Sequence, residues 1–476
     1  MKRLFYTLLF CLPCVLIACG GSDDTLGGDD NPPVVVPPDE ETVDSRLLYN
    51  GIRLPEQWPP VRSSSSELEK GMSPFYLSNK PSVINISVGR QLFVDNFLIE
   101  STNLKRTFYY PEYYSGNPIL TPEQDWEKTG TKGAAFAAPF SDGVWYDEKE
   151  GKYKMWYMAG GGSYATNGAG ITCYAESTDG IRWTKPTLSI VAGTNIVDYN
   201  SERDASVIWM DKQESNASKR YKMFLVARES GKWRYHYKTS PDGKVWRAAA
   251  QSEPIADRST VYKNPFRNVW VYSMRHNVRV NANKLVRARD YNENADPEAG
   301  TKKAEALLSA FWFGPWANEQ RHTDYPNIAP AIYNQDATPY ESIMLGFFSV
   351  WQGPENDVCA SDNVIKRNQV MVGYSRDGYS WFREDMNPFH AVNTTTSDAW
   401  NQGNLQSVAG APLIVGDKLY FYLSGRRLRG TQEITTTGLA MLRRDGFASM
   451  KGTGELQTPL LKFDGSYFFV NANVTG

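Results

Sequence analysis

The sequence predicts an all-β chain, specifically a five-bladed β-propeller, and three observations predict it. A phrase of the form S-x-D-G-x-x-W occurs three times, as STDGIRW (177–183), SPDGKVW (240–246) and SRDGYSW (375–381). Apolar runs of strand length recur around such phrases in one fixed order, five times over. Aromatic residues make up 13% of the chain, with 14 Trp and 27 Tyr, which suits strands better than helices. No long amphipathic helical pattern competes with this reading, although TKKAEALLSA (301–310) predicts one short helix.

Each phrase reads as the turn of a β-hairpin. Asp-Gly supplies the turn, since Gly tolerates positive φ and Asp can bond its own backbone. A similar phrase, the Asp-box, marks outer hairpins in sialidase-like propellers. Two weaker copies, RARDYNE (287–293) and LRRDGFASM (442–450), complete a series of turn aspartates: Asp179, Asp242, Asp290, Asp377 and Asp445. Their separations of 63, 48, 87 and 68 residues fit four-stranded blades with loops of unequal length.

A second series runs out of phase with the first. FSDGVWYD (140–147), ERDASVIWMD (202–211), ADRSTVYKN (256–264), NQDATPYES (334–342) and QGNLQSVAGA (402–411) each place polar residues ahead of an apolar strand. A second apolar strand follows each: KYKMWYMAG, RYKMFLVA, NVWVYSMR, SIMLGFF and KLYFYLSG. The predicted order is inner strand, middle strand, hairpin, outer strand. The ring is predicted to close by pairing SYFFVNANV (466–474) with RQLFVDNFLIE (90–100), since a propeller must hide its edges.

The amino terminus carries its own instructions. Lys2 and Arg3 precede an apolar stretch of signal-peptide length, too short to span a membrane as a helix. Leu16-Ile17-Ala18-Cys19 resembles a bacterial lipobox, with cleavage before Cys19 and lipid on its thiol. The GGSDD that follows resembles the tag of surface-directed Bacteroidetes lipoproteins. The expected organisation is a signal over 1–18, an acidic Gly/Pro-rich tether over 19–45, an extension packing on the propeller over 46–85, and the propeller over 86–476. The tether holds too little apolar surface to offset its ordering entropy. The expected location is the cell envelope, lipid-anchored and in the outer membrane, with the lipid as the only membrane contact and a monomeric chain.

Net charge is −2 with no basic stripe, which argues against nucleic acid. Beyond the signal only Cys173 and Cys359 remain as unmodified thiols, neither near other ligands at metal spacing, so no metal and no cofactor is expected. They read as buried small hydrophobes, with a disulfide between them left open.

Candidate chemistry sits where the heads of the inner strands converge. Asp142, Asp204, Asp257 and Asp336 head four of them, and Glu341 stands in the apolar run YESIMLG, where a carboxylate is costly unless paired or functional. Carboxyls gathered in a concave site raise one another's pKa, so one can stay protonated while another is charged. That pairing is what glycoside hydrolysis needs. The catalytic candidates are therefore Asp204, Asp257, Asp336 and Glu341. Arg258, Arg275 and His276 offer cations toward a polar or anionic sugar. SDAWNQGN (397–404) offers Trp400 to stack on a sugar face, with Asn401, Gln402 and Asn404 to bond hydroxyls. His236, His322 and His390 read as strand or loop surface.

GRQLFVDNFLIE, KYKMWYMAG, DRSTVYKNPFRNVWVYSMR, YESIMLGFF and TGLAMLRRDGFASM resemble bacterial proteins related to the five-bladed propeller glycosidases of families 32 and 43. The resemblance implies the propeller and a carbohydrate substrate. The W-x-N-D-P-N-G nucleophile motif and a clear R-D-P are both missing, and Asp95 in FVDNF stands as a match to a first-blade acid. The expected function is a glycoside hydrolase of a polysaccharide-degrading system, acting on oligosaccharides. The alternatives are a uronate-directed lyase or dehydratase using Arg258, Arg275, His276 and a nearby Tyr, and a surface glycan-binding lipoprotein without catalysis.

Overall fold

The structure, a computed structural model, describes residues 44–128, 134–165, 170–281, 284–306, 308–396, 398–429 and 432–474. The signal segment, Cys19 and most of the tether lie outside the described residues. What is described is mostly β-strand, with five short α-helices of four to seven residues. None of the helices among the described residues is long and apolar enough to cross a membrane.

The chain begins as a wrap carrying β1 (Val83–Asn85), β2 (Ser101–Thr102), β3 (Lys105–Phe108) and β4 (Glu112–Tyr113). Five antiparallel units follow. The first is β5 (Ala135–Asp147), β6 (Lys152–Ala159), β7 (Gly170–Ser177) and the start of β8 (Ile196–Met210). The rest of β8 begins the second unit, with β9 (Tyr221–Glu229), β10 (Lys232–Ser240) and β11 (Arg247–Gln251). The third is β12 (Thr260–Asn264), β13 (Val269–Asn281), β14 (Lys284–Asn294) and β15 (Ala310–Phe313). The fourth is β16 (Ala331–Tyr340), β17 (Ile343–Gly353) and β18 (Arg367–Ser375), with bridges from Phe382 and His390 on its outer side. The fifth is β19 (Asn404–Val408), β20 (Leu413–Val415), β21 (Lys418–Arg429) and β22 (Gln432–Arg443).

The chain ends meet differently from the expected pairing. The outer side of β22 is covered by β4 and by a bridge from Leu120 to Thr437. The carboxy-terminal β23 (Ala448–Lys451), β24 (Leu456–Gln457) and β25 (Leu460–Lys462) pair with β3, β2 and β1 in turn. Residues 466–474 form no strand, and Tyr467 and Phe469 are exposed at 80% and 88%. Their apolar alternation resembles a strand, but residues 90–100 form no strand either, and the neighbouring β1 and β2 pair with β25 and β24. Asp95, in the stretch expected to receive them, is fully buried in an ion pair with Arg376 at 2.8 Å, so it is a structural acid rather than a mouth carboxylate.

The repeated phrase does two jobs. In each copy the Ser hydroxyl bonds the Asp carboxylate (Ser177, Ser240 and Ser375, at 3.0, 2.9 and 2.9 Å) and accepts from the Gly N–H at 2.8–2.9 Å. The glycines sit at φ 73°, 76° and 74°, which a side chain would strain. Each Gly carbonyl then accepts a hydrogen bond from an aromatic of the preceding unit: Gly180 from Tyr422 (2.8 Å), Gly243 from Trp156 (2.6 Å), Gly378 from Tyr262 (3.2 Å). Two of the five turn aspartates depart from the pattern. Asp290 lies inside β14, buried, with its carboxylate on His276, and Asp445 turns the chain after β22 but is held by Tyr340 and Arg90. The short helix predicted over 301–310 forms earlier in the chain, as Pro297–Lys303, sharing only residues 301–303 with that stretch, and is capped by Asp296 through the Ala299 N–H.

Candidate functional site

All five units break their regular backbone at one level. The β5 ladder skips from Ala138 to Gly143, with Phe140 at φ 46° inside the gap. In β8 the register shifts between Arg203 and Ser206, around Asp204. Just before β12, Arg258 sits at φ 55°. Tyr333 is the extra residue of a bulge in β16, and Ser407, at φ 67°, is its counterpart in β19. Bulges and left-handed residues re-aim side chains, and non-glycine residues hold such conformations only where the surroundings impose them. Here they turn polar groups from five strands toward one centre.

Those groups bond around the centre from unit to unit. Asp142 pairs with Arg203 (2.7 Å). Asp204 accepts from both the Arg258 backbone N–H (2.8 Å) and its guanidinium (2.9 Å). The Thr260 hydroxyl donates to the Gln335 carbonyl. The Asn334 amide lies 2.9 Å from Asp336, 3.0 Å from Ser407 and 3.2 Å from Ser141, joining units four, five and one. The Phe140 N–H donates to Ser424 (2.7 Å) and returns the circuit to unit one. Beneath it lies a cavity to which every inner strand contributes, among them Ser141, Trp145, Trp209, Val261, Asp336 and Val408.

Asp336 is the carboxyl in the wall of that cavity. Burial pushes its pKa up to about 6, although Ser141, the Val408 N–H and Asn334 favour the charged form. Burial also raises Asp142 against the opposing pull of Arg203, and its Oδ2 has no hydrogen-bond partner among the described residues.

Around the circuit the charges are mostly matched. Asp142 has Arg203, Asp204 has Arg258, Asp257 has Arg275, and Glu433 has Arg426. Tyr333 stands among the cations. Lys366 donates to its hydroxyl at 3.3 Å, and Arg287 and Arg258 lie 4.7 and 5.7 Å from its ring centre. Burial opposes ionisation of this phenol, and Lys366, Arg258, Arg287 and Arg426 together reverse that, drawing its pKa down to about 6. Sequence reasoning missed Tyr333: a single aromatic in a strand reads as core, and its cations come from positions far along the chain.

The structure thus brings Asp204, Asp257, Arg258 and Arg275 together at this mouth, with Asp336 deeper. Asn404 belongs to its edge, bonding the Lys366 carbonyl at 2.8 Å. Five other expectations are corrected. Glu341 occupies the β16–β17 hairpin at φ 52°, roughly 25 Å along the strand from Tyr333. There it accepts from the Arg90 guanidinium at 2.6 Å, so its charge is paired and structural. Trp400 is buried, edge-on to Tyr113 and packed over Gly425 and Gly438, so neither ring face is free for a sugar. Asn401 is buried on the Ala391 carbonyl, and Gln402 accepts the Leu428 N–H. His276 follows Arg275 in β13 and so faces the other side of the sheet, where Asp290 (2.9 Å) raises its pKa.

His322 and His390, read from sequence as surface, are both buried. Cys173 and Cys359 are both free thiols. Among the described residues no group of three His, Cys, Asp or Glu side chains is placed to hold a metal ion.

No family model matches the chain, and no curated protein matches it. Solved structures are similar to it at low identity. One is an N-acetylgalactosamine deacetylase from F. plautii in complex with blood group B trisaccharide, 10% identical, TM-score 0.42, over 68% of this chain and 96% of that one. Another is a fructofuranosidase variant from Schwanniomyces occidentalis complexed with fructosylnystose, 12% identical, TM-score 0.39, over 72% and 65%. A third is a glycosyl hydrolase from Bacteroides ovatus, 11% identical, TM-score 0.38, over 79% and 100%. Other similar structures are also named as glycoside hydrolases.

Proposed function

We propose that the five units are the blades of a β-propeller and that the chain is a glycoside hydrolase acting on oligosaccharides at the mouth between its inner strands. One observation carries the reading: Asp336, a buried carboxyl in the central cavity, has its pKa raised to about 6, so it holds its proton well above the pH at which an ordinary carboxyl loses it. A general acid needs that property. Asp336 gives its proton to the glycosidic oxygen as the bond to the anomeric carbon breaks. Water delivers hydroxide to that carbon, and its proton passes to Asp142, whose free Oδ2 makes it the second carboxyl. Asp204 and Asp257, bound to Arg258 and Arg275, position those arginines. Lipid attachment at Cys19 and an outer-membrane location belong to the same proposal, supported by the lipobox-like LIAC, with loss of lipid labelling in Cys19→Ser as its check.

The test is product analysis by mass spectrometry on neutral, uronate and sulfated oligosaccharides, with wild type, Asp336→Asn and Asp142→Asn. Fragments that together gain one water, lost in both variants, support hydrolysis. Products with an unsaturated end select elimination instead, and sugars retained intact select a binding protein.

A further inference from the structure

The mouth holds more positive groups than its carboxylates can match. Arg203, Arg258, Arg275 and Arg426 each have an acidic partner. Arg287 and Lys366 have none among the described residues, and both lie against Tyr333. Neither is fully exposed, so water screens them less than it would surface cations. A partly buried cation with no carboxylate partner, whose nearest anion is a phenol that must itself ionise, is weakly compensated, and proteins keep such charges where a ligand supplies the missing sign.

A second observation adjoins the first. Asn368, two residues beyond Lys366 and near the start of β18, is fully buried, and neither its Nδ2 nor its Oδ1 has a hydrogen-bond partner among the described residues. Its ladder partner Asn404 likewise has a buried, unpartnered Oδ1. Buried amides are almost always bonded, so these atoms await a polar ligand or water. Cations beside unsatisfied amides match an acidic sugar, whose anion meets the charge while its hydroxyls meet the amides.

We infer that Arg287, Lys366 and Tyr333, with Asn368 and Asn404 beside them, form the subsite for the anionic group of an acidic sugar, a carboxylate or a sulfate ester. This rests on the reading of the mouth as a glycan site and adds the substrate class. Arg287 and Lys366 hold the anion, and the Tyr333 hydroxyl, protonated when the anion arrives, donates to it. The phenolate is the internal counterion of the empty subsite, displaced in charge by the ligand.

The first measurement is the near-ultraviolet tyrosinate absorbance of wild type and Tyr333→Phe across about pH 5 to pH 8. Wild type should show a transition centred near pH 6 that the variant lacks. Inorganic sulfate or glucuronate should move it upward, and neither should do so in Arg287→Ala or Lys366→Met. The second is affinity for a glucuronate-ended disaccharide, its 6-sulfated counterpart and the neutral parent. A preference of about tenfold or more for one acidic form, lost in both cation variants, supports the subsite and says which anion it reads. Equal affinity for acidic and neutral sugars, with an unmoved transition, overturns it while leaving the glycan site standing. A transition moved by sulfate in a protein that cleaves no oligosaccharide supports the anion site and overturns hydrolysis.

Discussion

The Tyr422 hydroxyl donates to the Gly180 carbonyl at 2.8 Å, joining the fifth unit to the turn of the first across 242 residues of chain. Trp156 to Gly243 and Tyr262 to Gly378 repeat the contact one unit at a time. The same kind of bond therefore serves both sequential neighbours and the seam between the chain's two ends. Tyr422→Phe keeps the buried ring and leaves the carbonyl unpaired, at a cost of about 1–3 kcal/mol. Chemical denaturation should show a lower midpoint with an unchanged slope. A midpoint equal to wild type would mean that the seam draws nothing from this bond.

Trp400 makes the opposite point, a residue that looks functional in sequence and is structural. A Cβ at Gly438 would lie 2.1 Å from its ring, and one at Gly425 2.3 Å. Gly438→Ala should therefore destabilise by overpacking, about 1–3 kcal/mol. Trp400→Ala should cost about 3–5 kcal/mol through the cavity it leaves. Below the melting temperature both variants should bind glycans as wild type does. Selective loss of glycan affinity in a fully folded Trp400→Ala would restore the stacking role.

How much of this was legible before any coordinates? The strand order was, because apolar runs and Asp-Gly turns act locally: KYKMWYMAG and KLYFYLSG are strands whatever surrounds them. Asp290 misled because RARDYNE imitates a turn phrase, whereas the chain runs straight through it to pair with β13. Glu341 misled for the reverse reason. YESIMLG reads as one apolar strand, yet Tyr340 pairs with Ile343 across a two-residue hairpin, which makes Glu341 a turn residue. The mouth itself was half legible. Asp204, Asp257, Arg258 and Asp336 follow from their place ahead of inner strands. The bulges that aim Phe140, Tyr333 and Ser407 leave no mark, since one extra residue barely disturbs a period of two. Tyr333 depends further on Arg258, Arg287, Lys366 and Arg426, which only the fold gathers.

Asp204 and Arg258 form a pair whose loss should be felt in function first. The carboxylate holds the arginine by its backbone and its side chain at once, fixing φ 55° at a residue that faces Phe140 and Tyr333. Asp204→Asn weakens both bonds without removing the side chain, so Arg258 is free to turn away from the mouth. Breaking such a pair, largely sheltered from water, costs about 3 kcal/mol. The Tyr333 titration should also move up from about pH 6, since a displaced Arg258 stabilises the phenolate less. An unchanged Tyr333 titration would show that Arg258 keeps its place without Asp204.

Asp336 links stability to pH, and the sign follows from its environment. Burial raises its pKa in the folded chain from 3.8 to about 6, so the folded state holds this proton more tightly than the unfolded one does. Below about pH 4 both states are protonated and the favourable contribution is fully present. As pH rises through 6 that contribution is lost, because the folded protein must then bury a carboxylate or keep a proton that the unfolded chain releases. The shift corresponds to about 3 kcal/mol. Asp336→Asn, which stays neutral and similar in shape, should therefore be more stable than wild type at about pH 8 and nearly equal to it at about pH 4. Thermal unfolding at the two pH values measures the difference. The same substitution should abolish turnover, so a variant that gains stability as it loses activity is the expected result. A variant less stable than wild type at the higher pH would mean that Asp336 is ionised and well solvated, and would remove it as the acid.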